Sequence, residues 1–141
     1  MWARQSYRWS DLDFEANKRE GIAIDWPIRY RDIAPWYSYV ERFIGVSGDA
    51  QGLPELPDGE FQKPMEMNVV EKHVAKKISN AFPGRKMFIG RVATLTEPLH
   101  GRAPCHYCGP CHRGCSGGSY FSSLSSTLPA AESTGNLSLM A

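Results

Sequence analysis

The sequence lacks the patterns that would by themselves assign it to most protein classes. It contains no G-x-G-x-x-G run, so the glycine turn that holds a dinucleotide pyrophosphate is absent from these 141 residues. No apolar run approaches the roughly 20 residues of a membrane-spanning helix, and the N-terminus has no apolar core of a signal peptide. A formal net charge of +1 excludes the basic footprint of a nucleic-acid-binding domain. As written, the sequence predicts a soluble chain with no nucleic-acid partner and no membrane-spanning segment.

Cysteine is also scarce, and its placement is informative. All the cysteines lie in one loop with the spacing C-x2-C-x2-C-x3-C: Cys105, Cys108, Cys111 and Cys115. Thiolates spaced this closely on a turning backbone can converge on one soft metal centre, and the run resembles the loop that wraps an iron–sulfur cluster in bacterial ferredoxins. It differs from that loop in having Ser116 where the ferredoxin run has proline, and no second set of cysteines follows. We predict these four residues as metal ligands.

Two alternatives to a cluster stay open from the residues alone. A closed zinc site could add His106 and His112 as ligands, although structural zinc usually joins two chelating pairs across a longer gap. The other alternative is a cysteine-rich loop that carries disulfides or free thiols beside a different site. In the metal-binding alternatives, the chain would be a small electron-transfer or structural module.

Hydrophobic periodicity predicts two longer helices. The first has Asp32 as its cap, tolerates Pro35 in its first turn and ends at Gly45 and Gly48. The second runs from about 68 to 82 after a proline-rich connection, and Asn68 with Glu71 would form its capping box. Each helix has an apolar stripe that we expect to be buried: Ile33, Trp36, Tyr37, Val40 and Ile44 on the first, and Val70, Val74, Ile78 and Phe82 on the second.

Further elements are predicted around the cysteine loop. The segment KMFIGRVATLT, residues 86–96, has the composition of a strand. A short helix is expected near Thr127 to Thr134, with Pro129 in its first turn and Gly135 at its end, followed by a strand from Asn136. The prediction is an α+β chain with two or three helices, few strands and long loops.

Three stretches in this order resemble a known family. They are WARQSYRWSDLDFE, WPIRYRDIAPWYSYVE and GCSGGSYFSSLSSTLPAAESTGNLSL, which together cover most of the chain. Each is similar to a segment of the glucose–methanol–choline (GMC) oxidoreductases: respectively the stretch after the flavin-contacting glycine-rich segment, a helix entry that leads through tyrosines to a glutamate, and a glycine- and serine-rich loop that leads into a helix and a strand.

The resemblance implies a fold, a cofactor and a reaction. Members of this family combine a Rossmann-type FAD/NAD(P)-binding domain with a substrate domain, and they oxidise the CH–OH groups of alcohols or sugars by passing hydride to FAD. It implies that Trp2, Ala3 and Arg4 lie nearest the flavin ring. Some sugar dehydrogenases of the wider family also carry an iron–sulfur cluster and pass electrons to a partner, which fits the cysteine loop.

The departures from the family suggest that the chain is an internal fragment. The FAD cradle is missing, and the family's catalytic histidine segment matches no residue here, so we expect the chain alone to be inactive. The parent protein would be cytoplasmic or periplasmic. The resemblance divides the chain into a segment near the flavin (1–9), a mainly substrate-domain and covering portion (10–100), the cysteine- and serine-rich loop (101–126), and a helix and strand that return to the FAD domain (127–141).

Overall fold

The computed structural model describes residues 4–140. Its α-helices are α1 (Asp11–Phe14), α2 (Ala16–Glu20), α3 (Tyr30–Ile44), α4 (Val69–Ala81) and α5 (Leu128–Glu132). A 3-10 turn covers Cys111–Arg113, and a π-helical turn covers Ser123–Thr127. This is more helix than the two or three segments predicted, because the polar N-terminal stretch and the serine-rich stretch also coil. In the described part of the chain, β-structure is limited to isolated bridges.

The helix α3 begins three residues earlier than predicted. Arg29 is its N-cap, and Asp32 is the third residue of the first turn, where its Oδ2 accepts a hydrogen bond from the Arg29 backbone N–H at 2.8 Å. Asp32 therefore does stabilise the helix start, but from inside the helix. Pro35 consequently lies beyond the first turn, within the helix. Gly45 ends the helix as predicted, with a left-handed φ of 76° that suits a residue without a Cβ.

The predicted buried stripe of α3 is wrong. Trp36 is 67% exposed and Val40 is 48% exposed, whereas the buried residue of this helix is Glu41. The reason is the salt bridge that Glu41 makes with Arg8, whose Nε and Nη2 donate to the two Glu41 carboxylate oxygens at 2.8 and 2.5 Å. A hydrogen-bonded ion pair thus occupies the position that an apolar side chain would take in an ordinary helix–core contact.

The helix α4 and its capping box are confirmed. The Asn68 side chain accepts from the Glu71 N–H at 2.9 Å, and the Glu71 carboxylate accepts from the Asn68 N–H at 2.7 Å. Its apolar stripe, however, is not buried, since Val70 is 70% exposed and Phe82 is 57% exposed. A local cap determines where this helix begins, but nothing among residues 4–140 covers most of its apolar face.

The centre of the molecule is the extended segment 91–95, which lies within the predicted strand. Val92 exchanges hydrogen bonds with Ser47 at 3.0 and 2.9 Å, and Thr94 forms a bridge with Tyr120. Alternate residues of the segment point inward: Arg91, Ala93 and Leu95 are all buried. The segment therefore has the alternation of a strand, but each neighbour pairs with it through single residues only. The apolar core is small and consists of Phe14, Val46, Ala93 and Leu95.

The proline-rich connection is held to this centre by one carboxylate. Asp58 accepts from the backbone N–H groups of Gln51 and Gly52 at 2.8 and 2.9 Å, and from Arg91 Nη2 at 2.6 Å. Arg91 is fully buried and also donates to the Pro57 carbonyl oxygen at 2.7 Å. The loop is consequently ordered by polar contacts rather than by regular structure.

The C-terminal region matches its prediction in part. The helix α5 has Pro129 in its first turn, and Gly135 follows it with a φ of 71°. From Asn136 to Met140 no bridge to another segment is formed within the described chain, so the strand expected there is not seen. Across residues 4–140, no helix combines the length and the apolar character required to cross a membrane.

Candidate metal centre

The cysteine loop leaves the central segment and returns to it. The Cys105 N–H donates to the Leu95 carbonyl oxygen at 2.8 Å, and the Ala103 N–H donates to the Gly117 carbonyl oxygen at 2.9 Å. The second of these bonds joins the two ends of the loop. Its interior contains only the short 3-10 turn Cys111–Arg113, with Gly109 and Gly114 on either side at φ values of 91° and 115°. The loop is thus anchored at its base, and its tip contains little regular structure.

All four cysteines line one cavity of about 340 Å³. Cys105 and Cys115, at the two ends of the run, are half-buried, while Cys108 and Cys111 at the tip are exposed. None of them forms a disulfide. The structure therefore brings the four thiols to a shared space, and their predicted role as metal ligands stays a prediction.

Two of the sulfur atoms accept backbone hydrogen bonds. The Tyr107 N–H donates to Cys105 Sγ at 3.4 Å, and the Ser119 N–H donates to Cys115 Sγ at 3.3 Å. Bonds of this kind favour the thiolate over the thiol and are among the features that tune iron–sulfur centres. They lie at the half-buried ends of the cysteine run.

The environment of Cys115 favours ionisation. Burial alone would raise the pKa of its thiol, but the backbone N–H groups around it, chiefly that of Ser119, outweigh burial and hold the pKa below its ordinary value. The other donors are the N–H groups of Tyr120, Gly117 and Gly118. A thiolate is the form of cysteine that binds metals, so the backbone contacts of Cys115 are compatible with a role as a ligand.

Arg4 forms part of the cavity wall. Its guanidinium carbon lies 3.1 Å from the centre of the Tyr120 ring, and both residues line the cavity. Arg4 is the described member of the three residues predicted to lie near a flavin; Trp2 and Ala3 fall outside the described residues. The cysteine loop and this N-terminal segment are therefore neighbours in space. No pattern in the sequence indicated the contribution of Tyr120 or Ser119.

The thiols are not yet assembled as a coordination shell. Among residues 4–140, no three His, Cys, Asp or Glu side chains are grouped closely enough to bind a metal ion as they stand. Of the two histidines weighed as zinc ligands, His106 lines the cavity and His112 does not. The donor set fits a thiophilic centre in chemistry and in shared location, and the exposed thiols of Cys108 and Cys111 would have to lie closer to the other two to form a coordination shell.

The loop also contains a serine whose neighbouring residues match a pattern found around catalytic serines. Residues 114–118 read GCSGG, which matches the G-x-S-x-G spacing of a serine-hydrolase nucleophile around Ser116. That nucleophile requires a strand before it and a helix directly after it. Here the run is an irregular loop that follows the 3-10 turn, and the next helical residue of the described chain is Ser123. The local structure therefore does not support a hydrolase site.

Comparison with known proteins gives one informative similarity. No family model matches the chain. Over 100 residues it is 28% identical to the 2-methyl-1,2-propanediol dehydrogenase of Mycolicibacterium austroafricanum. The aligned region is 67% of this chain and 18% of that dehydrogenase. This similarity points to the oxidoreductases as the class of proteins to which the chain is related.

Proposed function

We propose that this chain is part of an FAD-dependent oxidoreductase of the GMC family that oxidises an alcohol or a sugar, and that its cysteine loop holds an iron–sulfur centre. The observation that carries the metal proposal is the lining of one cavity by Cys105, Cys108, Cys111 and Cys115. The similarity to a dehydrogenase supports the reaction class. The chain spans less than a fifth of that relative, so the activity is proposed for the whole protein.

FAD would be held mainly by residues outside this chain. The chain has no G-x-G-x-x-G turn, and the part of the predicted flavin segment that is described, Arg4, has its carbonyl oxygen bonded to the Ala93 N–H at 2.9 Å. This segment can therefore contribute a wall beside the flavin but no phosphate-binding turn. When bound, FAD would accept the hydride from the alcohol carbon.

The cysteines would have different tasks in holding the centre. Cys105 and Cys115 sit at the anchored ends, with N–H donors already directed at their sulfur atoms. Cys108 and Cys111 lie on the exposed tip and would move inward on binding. When bound, an iron–sulfur centre supplies one-electron transfer, which would link the oxidised substrate to an external electron acceptor.

Iron and acid-labile sulfide analysis of the chain, purified without oxygen, tests the metal proposal. We expect both elements, a brown colour and broad visible absorption, and we expect Cys115→Ser to lose them. His112→Ala is the matched control, because His112 lies in the same loop but does not line the cavity. Zinc without sulfide would favour the closed zinc site, and a colourless, metal-free, folded chain would refute the proposal.

The oxidoreductase proposal needs the whole protein. A preparation of the complete protein should contain FAD and should bleach its flavin absorption when a small diol or sugar is added under anaerobic conditions. Absence of flavin from an intact, folded protein would contradict it independently of the result for iron.

A further inference from the structure

The cavity wall contains one residue whose charge and rigidity the proposed metal centre does not yet explain. Arg4 adopts a left-handed backbone conformation with a φ of 60°, which is uncommon for a residue with a side chain. Such a conformation persists only where surrounding contacts compensate for its cost, and it is often found beside functional sites. Three contacts compensate here.

The first two contacts fix the backbone of Arg4. Its carbonyl oxygen accepts from the Ala93 N–H at 2.9 Å and from the Ser6 hydroxyl at 3.1 Å. Ala93 is buried in the central segment. The backbone position of Arg4 is therefore fixed by contacts with the protein core.

The third contact fixes the guanidinium. It stacks on Tyr120, whose chain neighbour Ser119 donates its N–H to Cys115 Sγ. Tyr120 is also bridged to Thr94 in the central segment. Arg4, Tyr120 and Cys115 are thus connected to the same short piece of backbone, so the distance between the cation and the thiol wall is constrained. A planar guanidinium suits this stacked position, which an ammonium would not fill.

The charged side chains that line the cavity are important for a metal centre bound there. No carboxylate lines it in the described chain, and Arg4 is its permanently charged side chain. A centre with four thiolate ligands is anionic, and it becomes more negative by one charge when it takes up an electron. A cation held nearby stabilises the reduced form more than the oxidised form.

We propose that Arg4 is a positioning residue that raises the reduction potential of the cysteine-bound centre. The inference rests on the proposed iron–sulfur function and adds to it a specific electrostatic role for a residue that is far from the cysteines in sequence. It also predicts that the charge of Arg4, and its fixation by Tyr120, are both required.

A potentiometric titration of the whole chain, reconstituted without oxygen with iron and sulfide, tests the role of Arg4. We expect the midpoint potential of Arg4→Gln to be more negative than that of the wild type, and Arg4→Lys to lie between them because it keeps the charge but loses the stack. Tyr120→Leu should shift the potential in the same direction as Arg4→Lys. Arg113→Gln is the matched control, since it removes the same charge from the cysteine loop at a position outside the cavity lining, and we expect the smallest shift.

The outcomes separate the two proposals. A wild-type chain that takes up no iron would overturn the metal centre and this inference together. Iron uptake with equal potentials in the wild type and Arg4→Gln, or with an equal shift in Arg113→Gln, would overturn the inference alone. If Arg4→Gln holds no cluster, retention of the cluster by Arg4→Lys supports the role of charge, whereas loss in both variants assigns Arg4 a purely structural role.

Discussion

The ion pair beside α3 and the cysteine loop satisfy their polar groups in opposite ways. Around α3, the buried guanidinium of Arg8 bonds to Glu41, to the Tyr30 hydroxyl at 2.7 Å and to the Ser38 hydroxyl at 2.9 Å. Glu41 also accepts from the Glu60 N–H at 3.2 Å. In the cysteine loop, four thiols line a cavity and two of them receive a single backbone bond each. The ion pair of the first region is closed by contacts within the chain, whereas the thiols of the second region face a shared cavity.

From this contrast we infer that the ion pair at α3 contributes mainly to stability and the cysteine loop mainly to function. A buried ion pair whose atoms are all bonded fixes the position of α3 against the N-terminal segment, so changes there should unfold the protein. The thiols are anchored only at the base of their loop, so changes there should alter binding and reactivity while leaving the fold. The predictions below test that division.

The largest effect is expected at the buried ion pair. Glu41→Gln should destabilise the fold by about 3–5 kcal/mol, because it leaves the Arg8 charge buried without its counter-ion. Urea denaturation followed by circular dichroism would measure it. Glu60→Gln, which removes the exposed partner of Arg42, should change the midpoint little. A similar loss of stability in both variants would contradict the account of α3.

A smaller loss is expected where α3 ends. Gly45 has a left-handed φ, and a Cβ there would collide with the Leu95 side chain and lie 3.0 Å from Leu99 Cδ2. Gly45→Ala should therefore cost about 3 kcal/mol, as strain and overpacking combine. At Gly84 the φ is also positive, at 85°, but a Cβ would meet nothing within 4 Å. Gly84→Ala should cost about 1 kcal/mol, and equal costs in the two variants would show that packing against Leu95 is unimportant.

The next smaller effect on stability is expected at the proline-rich loop, whose contribution should fall at low pH. Burial raises the pKa of Asp58, but the N–H groups of Gln51 and Gly52 and the Arg91 guanidinium outweigh it, so the pKa lies below its ordinary value. A carboxyl whose pKa is lowered in the fold stabilises it above the unfolded value of about 4, and this contribution is lost as the pH falls through the folded value. Asp58→Asn should show a flatter decline in stability between neutral pH and acid than the wild type does.

The smallest effect on the fold, and the most specific one on reactivity, is expected at Cys115. Because its pKa is lowered, its thiolate should form at a lower pH than the thiolate of an ordinary cysteine. Alkylation of the metal-free chain, read by mass spectrometry of peptides, should therefore begin at Cys115 at a lower pH than the alkylation of a small reference thiol in the same reaction. A rate at Cys115 that rises with pH in parallel with that of the reference thiol would count against the N–H bonds to the Cys115 sulfur.

Features that depend on residues close together in the sequence could be predicted from it. The capping box of α4 involves residues three apart and was predicted correctly. The four cysteines were predicted as metal ligands from their spacing within one loop, and that role stays a prediction. The end of α3 at Gly45 was also predicted, since a left-handed terminus favours glycine.

Features that depend on contacts between residues far apart in the sequence were not predicted. The buried side of α3 depends on Arg8, 33 positions before Glu41, and helical periodicity cannot reveal that partner. The wall that Arg4 and Tyr120 give to the cavity likewise joins segments far apart in the chain. The predicted central strand was half right: its inward alternation is present, but its neighbours each pair through single residues, so no regular sheet is built.

Iron K-edge X-ray absorption of the anaerobically purified chain tests the central claim most directly. If the four cysteines hold an iron–sulfur centre, each iron should have sulfur neighbours in its first shell and a second iron at short distance, and Cys115→Ser should lose this pattern. A first shell of oxygen and nitrogen atoms without a nearby iron would mean adventitious iron, and it would contradict the assignment of the cysteine loop as an electron-transfer centre.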